Sequence, residues 1–168
     1  STASNIGLSW WSHDIGGYQD GIEDGELYLR YVQLGTFSPI FRFSAKFGHY
    51  YKREPWRWGV QTLNIVRDCF LRHRLIPYLY SEAYKYHTTG LPLVQPLYYQ
   101  KPEVYDEPVY KNEYTFGTEL FVAPITEKKD QIMNRAIERL LLPNGMWYDF
   151  NTGKKFPGNN RYVAFYKD

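Results

Sequence analysis

Residues 9–35 read SWWSHDIGGYQDGIEDGELYLRYVQLG, and this stretch decides the fold. Across residues 6–11 every second residue is large and apolar (Ile6, Leu8 and Trp10), and the residues between them are Gly7, Ser9 and Trp11, the period-two pattern of a β-strand. Gly16 and Gly17 follow the predicted strand and allow a tight turn, or the close approach of a ligand or another backbone. A helical pattern comes next, so the order is strand, polar loop and helix.

The predicted helix carries signals at both of its ends. Asp24 is placed as the N-cap and Gly35 as the stop. The acidic residues near Asp24 are interpreted as helix-start charges rather than as catalytic acids, because carboxylates stabilise the first turn. The face expected to be buried has three residues at helical spacing: Leu27, Tyr31 and Leu34.

A second strand, loop and helix follow directly. SPIFRF, residues 38–43, alternates so that Arg42 and Ser44 lie on one face of the strand, opposite two phenylalanines. Pro55 suits a helix start, and Pro77 is expected to kink or split the long apolar-periodic helix beyond it.

Two consecutive units of this kind predict α/β architecture with parallel strands, as in a (β/α)8 TIM barrel. The loops after the strands would then share the rim at which barrel active sites lie. Asp14, Arg42 and Ser44 are all expected on that rim. Because a barrel needs eight units, we expect the chain to be one part of a larger barrel.

After Gly90 the pattern changes to short strands and turns, which predicts an all-β part. Asn144-Gly145 is a strong two-residue hairpin signal, and residues 151–153 supply the next turn. We therefore predict the last barrel units over residues 1–96, and a small, possibly incomplete antiparallel β-sandwich over residues 97–168. No flexible linker separates the two parts, so they are expected to pack together.

Composition excludes several classes of function. The 168 residues are 43% hydrophobic and 23% charged with a net charge of +2, which is globular and does not favour nucleic acid as a partner. No apolar run reaches the length of a membrane span, so no membrane partner is expected. A single cysteine, Cys69, rules out an intramolecular disulfide, and a cytoplasmic location is favoured over secretion. Any targeting signal would lie outside this sequence.

Isolated chemical motifs are weak. The His13-Asp14 pair is compatible with acid–base work or with half of a metal site, but no second ligand cluster supports it. No phosphate-binding glycine loop and no G-x-S-x-G nucleophile elbow is present. We predict no metal and no cofactor on these grounds. Tyrosine is abundant, with 17 residues, and its rings can stack on sugars or simply fill a core.

Seven blocks in order resemble one family. They are WWSHDIGGY, DGELYLRYVQLGTFSPIFR, REPWRW, RLIPYLYSEAY, GLPLVQPLYY, FGTELFVAPI and LLPNGMWYDFNTG, and they are similar to the C-terminal part of glycoside hydrolase family 31, the α-glucosidase and α-xylosidase family. The resemblance implies a retaining α-glycosidase that uses two aspartates about 5–5.5 Å apart in a double displacement. It also implies that both aspartates lie on earlier barrel strands. The chain is then expected to need the rest of its barrel as a partner and to be inactive alone.

The resemblance also implies four substrate-binding residues. In the family block D-I-x-G-[FY], the aspartate and the aromatic residue correspond to Asp14 and Tyr18, which would contact a carbohydrate substrate. The family triplet Arg-x-His corresponds to Arg42 followed two residues later by Ser44. Serine is shorter than histidine and cannot be cationic, so an α-xyloside, α-galactoside or N-acetylated sugar becomes credible beside an α-glucoside. Alternatively, His49 reaches back from the next loop.

Other interpretations stay open. Asp14 could be only the structural partner of an arginine, and Trp10 could be a core residue rather than a sugar platform. The chain could also be a free-standing carbohydrate-binding or interaction module built on the aromatic β-sandwich. An isolated module would expose apolar strand faces, so self-association is expected of it.

Overall fold

Two short segments of the N-terminal half pair in parallel. The structure, a computed structural model, describes residues 2–20, 22–46, 53–159 and 161–167. Ser12 forms a β-bridge with Ile40 and Ile15 forms one with Phe43, so each residue lies opposite the one 28 positions later. We call residues 12–18 the first rim segment and residues 40–46 the second rim segment. The two segments pair in parallel, as expected, but only through isolated bridges, and the first segment begins at Ser12, beyond the strand predicted over residues 6–11.

The strand predicted over residues 6–11 is wrong. Thr2–Ile6 is a 3-10 helix, and Gly7, with φ of 75°, turns the chain back so that its N–H donates to the Ser4 carbonyl at 2.9 Å. Ile6 is 82% exposed. The alternation over residues 6–11 therefore does not correspond to a β-strand, because the first β-bridge of the described residues is at Ser12.

Helix α1 spans Gly25–Thr36 and begins at the predicted cap, since the Leu27 N–H donates to Oδ1 of Asp24 at 3.0 Å. The prediction that Leu27, Tyr31 and Leu34 form the buried face is wrong, because each buried position lies one residue later in the chain. Leu27 is 64% exposed. Gly35 is not the stop but a contact point inside the helix, where a Cβ would lie 2.5 Å from Cδ1 of Ile15. This close approach turns a different face of the helix to the core, namely Tyr28, Val32 and Gly35.

The long helical stretch is divided, as predicted. Pro55 opens a 3-10 helix, Pro55–Trp58, and Pro77 lies in the first turn of the last helix. Proline is accepted there because the first turn needs no backbone donor. The three α-helices of this stretch are α2 (Val60–Asp68), α3 (Leu71–Arg74) and α4 (Ile76–Thr89).

The C-terminal half consists of antiparallel strands. They are β1 (Val94–Pro96), β2 (Tyr114–Phe116), β3 (Leu120–Val122), β4 (Ala136–Leu142), β5 (Met146–Tyr148), β6 (Lys155–Pro157) and β7 (Arg161–Lys167). Strands β1, β2 and β3 form one sheet in that order, β4 pairs with β7, and β5 pairs with β6. The arrangement agrees with the end of a barrel followed by a small antiparallel β-sandwich.

The hairpin predicted at Asn144-Gly145 is wrong. These residues connect β4 to β5, but β4 pairs with β7 over its whole length, from Ala136 opposite Lys167 onward. Gly145 instead accepts a hydrogen bond on its carbonyl from the Gly158 N–H at 2.8 Å. The long-range partner of β4 overrides the local turn signal. The turn predicted over residues 151–153 is confirmed within the β5–β6 hairpin.

The two halves pack together, as predicted. One core cluster is built around Tyr114 and Phe116 of β2, and residues of the N-terminal half, including Trp11, Leu34 and Phe37, pack against it. Trp10, in contrast, is 41% exposed, so its interpretation as a core residue is wrong. The boundary after residue 96 stays a prediction.

Candidate functional site: two rim segments on a buried support

The site rests on the connection, residues 36–39, which joins α1 to the second rim segment. Arg72 of α3 donates from Nη1 to the carbonyls of Thr36 at 3.0 Å and Ser38 at 2.6 Å, and from Nη2 to that of Pro39 at 2.6 Å. Burial lowers the pKa of Arg72 to about 10, so the guanidinium keeps its charge at neutral pH. It lies 5.5 Å from the ring centroid of Phe116.

The C-terminal sheet supports the same connection. The Tyr114 hydroxyl donates to the Phe37 carbonyl at 3.0 Å, and burial raises the pKa of Tyr114, so the hydroxyl remains protonated as a donor. With the bonds from Arg72, the carbonyls of four consecutive residues accept hydrogen bonds from side chains of other elements. Buried carbonyls need such partners, because an unsatisfied one costs free energy. The second rim segment therefore starts from a fixed backbone.

His13 joins the first rim segment to this support. Its Nε2 lies 2.9 Å from Oγ of Ser38, whose own hydrogen is donated to the Leu34 carbonyl at 2.9 Å, so Nε2 is the donor. The imidazole stacks on Tyr31, with ring centroids 5.1 Å apart. Burial lowers the pKa of His13, opposed by the nearby charge of Asp14. The hydrogen bond to Ser38 and the stacking on Tyr31 give His13 a structural role between the first rim segment and the connection.

Asp14 and Arg42 are brought into contact by the register of the two rim segments. Nη2 of Arg42 donates to Oδ1 of Asp14 at 2.7 Å, and the side chains are 58% and 34% exposed, respectively. Next to them, the Ile15 N–H donates to the Arg42 carbonyl at 3.3 Å. Arg42 thus orients the Asp14 carboxylate through one of its two oxygens, Oδ1, while both side chains stay accessible to solvent. This is the arrangement expected of a group that accepts hydrogen bonds from a polar ligand.

Tyr18 is the last residue of the first rim segment, and Ser44 lies two residues before the end of the second. The Tyr18 carbonyl accepts a hydrogen bond from the Lys46 N–H at 2.7 Å, two residues beyond Ser44. Tyr18 is 49% exposed, and Ser44 is half-buried. The backbone thus brings all four predicted substrate-binding residues to one pair of segments, although only Asp14 and Arg42 touch directly. His49 lies outside the described residues.

A cavity of about 150 Å³ adjoins the first rim segment. It is bordered by the Gly16-Gly17 turn, by the start of α1 and by an aromatic wall that includes Tyr28 and Trp58. Within the described ranges, no three His, Cys, Asp or Glu side chains come close enough together to hold a metal ion. No helix in the same ranges is long and apolar enough to cross a membrane.

Two arginines important to the site were not singled out by sequence reasoning. Arg72 holds the connection, and Arg53 bonds the Gly16-Gly17 turn. Arg72 lies 36 residues beyond one of its acceptors, and Arg53 lies 37 residues beyond Gly16. Both arginines bond backbone carbonyls, which every residue type has, so the identity and spacing of the acceptor residues give no signal for these contacts in the sequence.

The family follows from comparison with known proteins. Residues 1–82 match the model of the glycosyl hydrolases family 31 TIM-barrel domain, and residues 90–167 match that of the family 31 C-terminal domain. The chain belongs to glycoside hydrolase family 31. The resemblance found in the sequence is thereby confirmed, as is the order of barrel end and β-domain.

Relatives in this family act on α-linked sugars, according to their names. The chain is 33% identical to neutral alpha-glucosidase C of Homo sapiens over 160 residues, which cover 94% of this chain and 17% of that protein. It is 34% identical to an alpha-xylosidase of Emericella nidulans over 161 residues, or 94% of this chain and 20% of the relative. The chain thus spans about a fifth of the length of such relatives.

Solved structures agree. A family 31 dextranase of Flavobacterium johnsoniae, complexed with glucose, superimposes with a TM-score of 0.83 at 33% identity, covering 99% of this chain and 20% of that chain. A cycloalternan-degrading enzyme of Trueperella pyogenes in complex with isomaltose gives a TM-score of 0.85 at 27% identity, covering 99% and 24%.

Proposed function

We propose that the two rim segments form one wall of the sugar-binding site of a retaining α-glycosidase. The observation that carries the proposal is the contact of Asp14 with Arg42 across the parallel-paired segments. Family membership supports a glycosidase, and the carboxylate–guanidinium pair supplies acceptors and donors suited to sugar hydroxyls. The exposed ring of Tyr18 offers an apolar surface to the sugar.

The proposed reaction is a double displacement. Two carboxylates form and then hydrolyse a glycosyl-enzyme intermediate, one as nucleophile and the other as acid and then base. We assign neither role to this chain. Both aspartates would lie on other strands of the barrel, and the 168 residues would bind sugar without cleaving it. Asp14 and Arg42 would hold the ring so that its anomeric carbon faces those carboxylates.

Ser44 is the proposed determinant of the sugar. The family usually has histidine at this position, and the shorter serine leaves space at this point of the rim for a larger substituent or a water molecule. An α-galactoside, an α-xyloside or an α-N-acetylgalactosaminide is therefore a candidate substrate beside an α-glucoside. The hydroxyl of Ser44 can both donate to and accept from such a group.

Activity measurements test the proposal. The full-length protein that contains these residues and the 168-residue chain, checked for folding by circular dichroism, are assayed with nitrophenyl α-glucoside, α-xyloside, α-galactoside and α-N-acetylgalactosaminide. We expect turnover by the full-length protein only, and a loss of at least about tenfold in kcat/KM for Asp14→Asn. Asp68→Asn, a change at an exposed position on α2, is the matched control and should leave kcat/KM unchanged.

Three outcomes contradict parts of the proposal. Turnover by the isolated chain that Asp14→Asn abolishes would place a catalytic carboxylate in this chain. Binding of the sugars without turnover by the full-length protein would favour a carbohydrate-binding module. We expect Ser44→His to shift the preference among the four substrates toward the α-glucoside. If the preference is unchanged, Ser44 does not determine which sugar is bound.

A further inference from the structure

We propose that Arg53 is a positioning residue that fixes the first rim segment in its sugar-binding shape. Nε of Arg53 donates to the carbonyl of Gly16 at 2.8 Å and to that of Gly17 at 3.1 Å. These carbonyls lie between Asp14 and Tyr18, the two groups of this segment proposed to contact the sugar. The inference therefore rests on the proposed function and adds a residue that does not itself touch the substrate.

The turn needs an external anchor because of its glycines. Gly16 and Gly17 have φ of 90° and 83°, a left-handed conformation that residues with side chains rarely adopt. Glycine also loses more conformational entropy on ordering than other residues, and it has no side chain to pack. Backbone hydrogen bonds are then what can hold such a turn: the Gly17 N–H donates to the Asp14 carbonyl at 2.8 Å within it, and the carbonyls of Gly16 and Gly17 are open to a donor from outside. Arg53 supplies that donor, and its charge strengthens the hydrogen bonds.

Packing around Gly16 fits this role. A Cβ built on Gly16 would lie 2.8 Å from Cδ of Arg53 and 3.2 Å from the ring of Tyr28. The aliphatic part of Arg53 and the tyrosine ring thus occupy the space that a side chain at Gly16 would need. The turn is held both by hydrogen bonds and by van der Waals contact on the same residue.

Arg53 is itself fixed by the helix behind it. The hydroxyl of Tyr28 in α1 donates to the Arg53 carbonyl at 2.7 Å. Tyr28 is 3% exposed and stacks on Trp58, with ring centroids 4.7 Å apart. Burial raises the pKa of Tyr28, so the donor hydrogen is kept at all moderate pH values. Because the Arg53 backbone is hydrogen-bonded and its aliphatic stem is packed, the guanidinium has little conformational freedom. A residue that positions a neighbouring segment needs such restraint.

Besides the two β-bridges and the hydrogen bond from the Ile15 N–H to the Arg42 carbonyl, three links hold the part of the first rim segment that is proposed to face the sugar. Asp14 is held by Arg42, the Gly16-Gly17 turn by Arg53, and the Tyr18 carbonyl by the Lys46 N–H. The outer two links belong to the second rim segment. Arg53 is the link that acts on the turn between them, so its loss should loosen the segment without disturbing the helices.

Hydrogen exchange measured by mass spectrometry tests this without any substrate. In the full-length protein, Arg53→Met keeps the aliphatic stem and removes the donor. We expect at least about tenfold faster exchange in peptides covering residues 12–20, with the peptides of α1 and α4 unchanged. Arg53→Lys should restore part of the protection. Arg57→Met removes the same kind of side chain from the 3-10 helix that begins two residues after Arg53; it is the control and should leave this peptide unchanged.

Steady-state kinetics with the sugar that the enzyme cleaves adds a second readout. We expect Arg53→Met to raise KM about tenfold while kcat stays within about threefold, because binding groups are displaced equally in ground and transition states. A fall in kcat at constant KM would contradict the role of Arg53. Unchanged exchange at residues 12–20 would also overturn it.

Two further results separate the possible failures. If Arg53→Met does not fold, Tyr28→Phe releases the Arg53 backbone more gently: faster exchange confined to residues 12–20 supports the proposal, and a rise spread over all helices overturns it. Altered exchange in a protein that cleaves none of the four α-glycosides would reject the proposed function alone. Normal turnover with unaltered exchange would reject the role of Arg53 alone.

Discussion

The connection and the rim segments differ although they are continuous in the chain. In the connection, residues 36–39, the carbonyls accept hydrogen bonds from Arg72 and Tyr114, and Thr36 and Ser38 are each 1% exposed. Only two residues further on, Ile40 is 38% exposed, and the Asp14–Arg42 ion pair faces solvent. Buried hydrogen bonds are therefore concentrated in the connection, and the residues proposed to contact the sugar lie on the exposed segments that follow it. The two regions should respond to mutation in opposite ways.

The largest loss of stability is expected from Arg72→Met. The substitution leaves three buried carbonyls without their donor, which should lower the free energy of unfolding by about 3 kcal/mol or more. Urea denaturation followed by tryptophan fluorescence measures the change. Arg74→Met, at an exposed position of the same helix, should change the free energy by less than about 0.5 kcal/mol. Equal losses in the two variants would show that the connection is not the support.

A pH-dependent effect of the next size is expected from Glu113, on the C-terminal side of the support. Its Oε1 accepts from the Leu141 N–H at 3.0 Å, and Oε2 has no hydrogen-bond partner among the described residues. Burial raises the pKa of Glu113 to about 8, from 4.5. Since the folded state binds the proton more tightly, this stabilisation is complete below about pH 4.5 and is lost as pH rises through about 8.

Glu113→Gln should remove this pH dependence. Glutamine can accept the same hydrogen bond and cannot ionise, so at pH 9 the variant should be more stable than the parent by on the order of 2 kcal/mol. At pH 5 the two should differ little. Denaturation at both pH values measures this, with Glu119→Gln at an exposed position as the control. A parent protein equally stable at pH 5 and pH 9 would contradict the shifted pKa.

A smaller effect is expected from Tyr114→Phe. The variant loses the hydroxyl that donates to the Phe37 carbonyl but keeps the buried ring, which should cost about 1 kcal/mol. Tyr80→Phe removes a hydroxyl from a side chain that is 80% exposed and should cost nothing measurable. If Tyr114→Phe is as stable as the parent, the C-terminal sheet does not support the connection through this bond.

The smallest effect on stability is expected at the rim. Because the Asp14–Arg42 pair is exposed, a double-mutant cycle with Asp14→Asn and Arg42→Met should give a coupling free energy below about 0.5 kcal/mol. The same two substitutions should each lower kcat/KM for the sugar at least about tenfold. A coupling of several kcal/mol with unchanged activity would make the pair structural, like the connection.

Local signals in the sequence predicted the elements whose causes are local. Asp24 caps α1 because its carboxylate reaches the Leu27 N–H three residues away, and Pro77 opens α4 because its ring fits only the first turn. Where a distant partner decides, sequence reasoning failed. The hairpin at Asn144-Gly145 gives way to pairing between β4 and β7.

The candidate site shows the same division. The resemblance to the family pointed to Asp14 and Arg42, and the register of the two rim segments joins them. The arginines that bond backbone carbonyls, Arg53 and Arg72, were missed, because any residue supplies a carbonyl and the acceptor leaves no trace in the sequence. The close packing of Ile15 on Gly35 likewise has no signal in the sequence. The buried face of α1 was therefore predicted one residue away from the observed one.

A crystal structure with bound sugar tests whether the two rim segments form a wall of the sugar-binding site. Crystals of the full-length protein are soaked with the monosaccharide that it releases most rapidly from the panel of α-glycosides. We expect a sugar with a hydroxyl within hydrogen-bond distance of the Asp14 carboxylate, beside the Tyr18 ring, and with a ring substituent directed at Ser44. A sugar bound elsewhere, with the Asp14–Arg42 pair free of contact, would contradict the account.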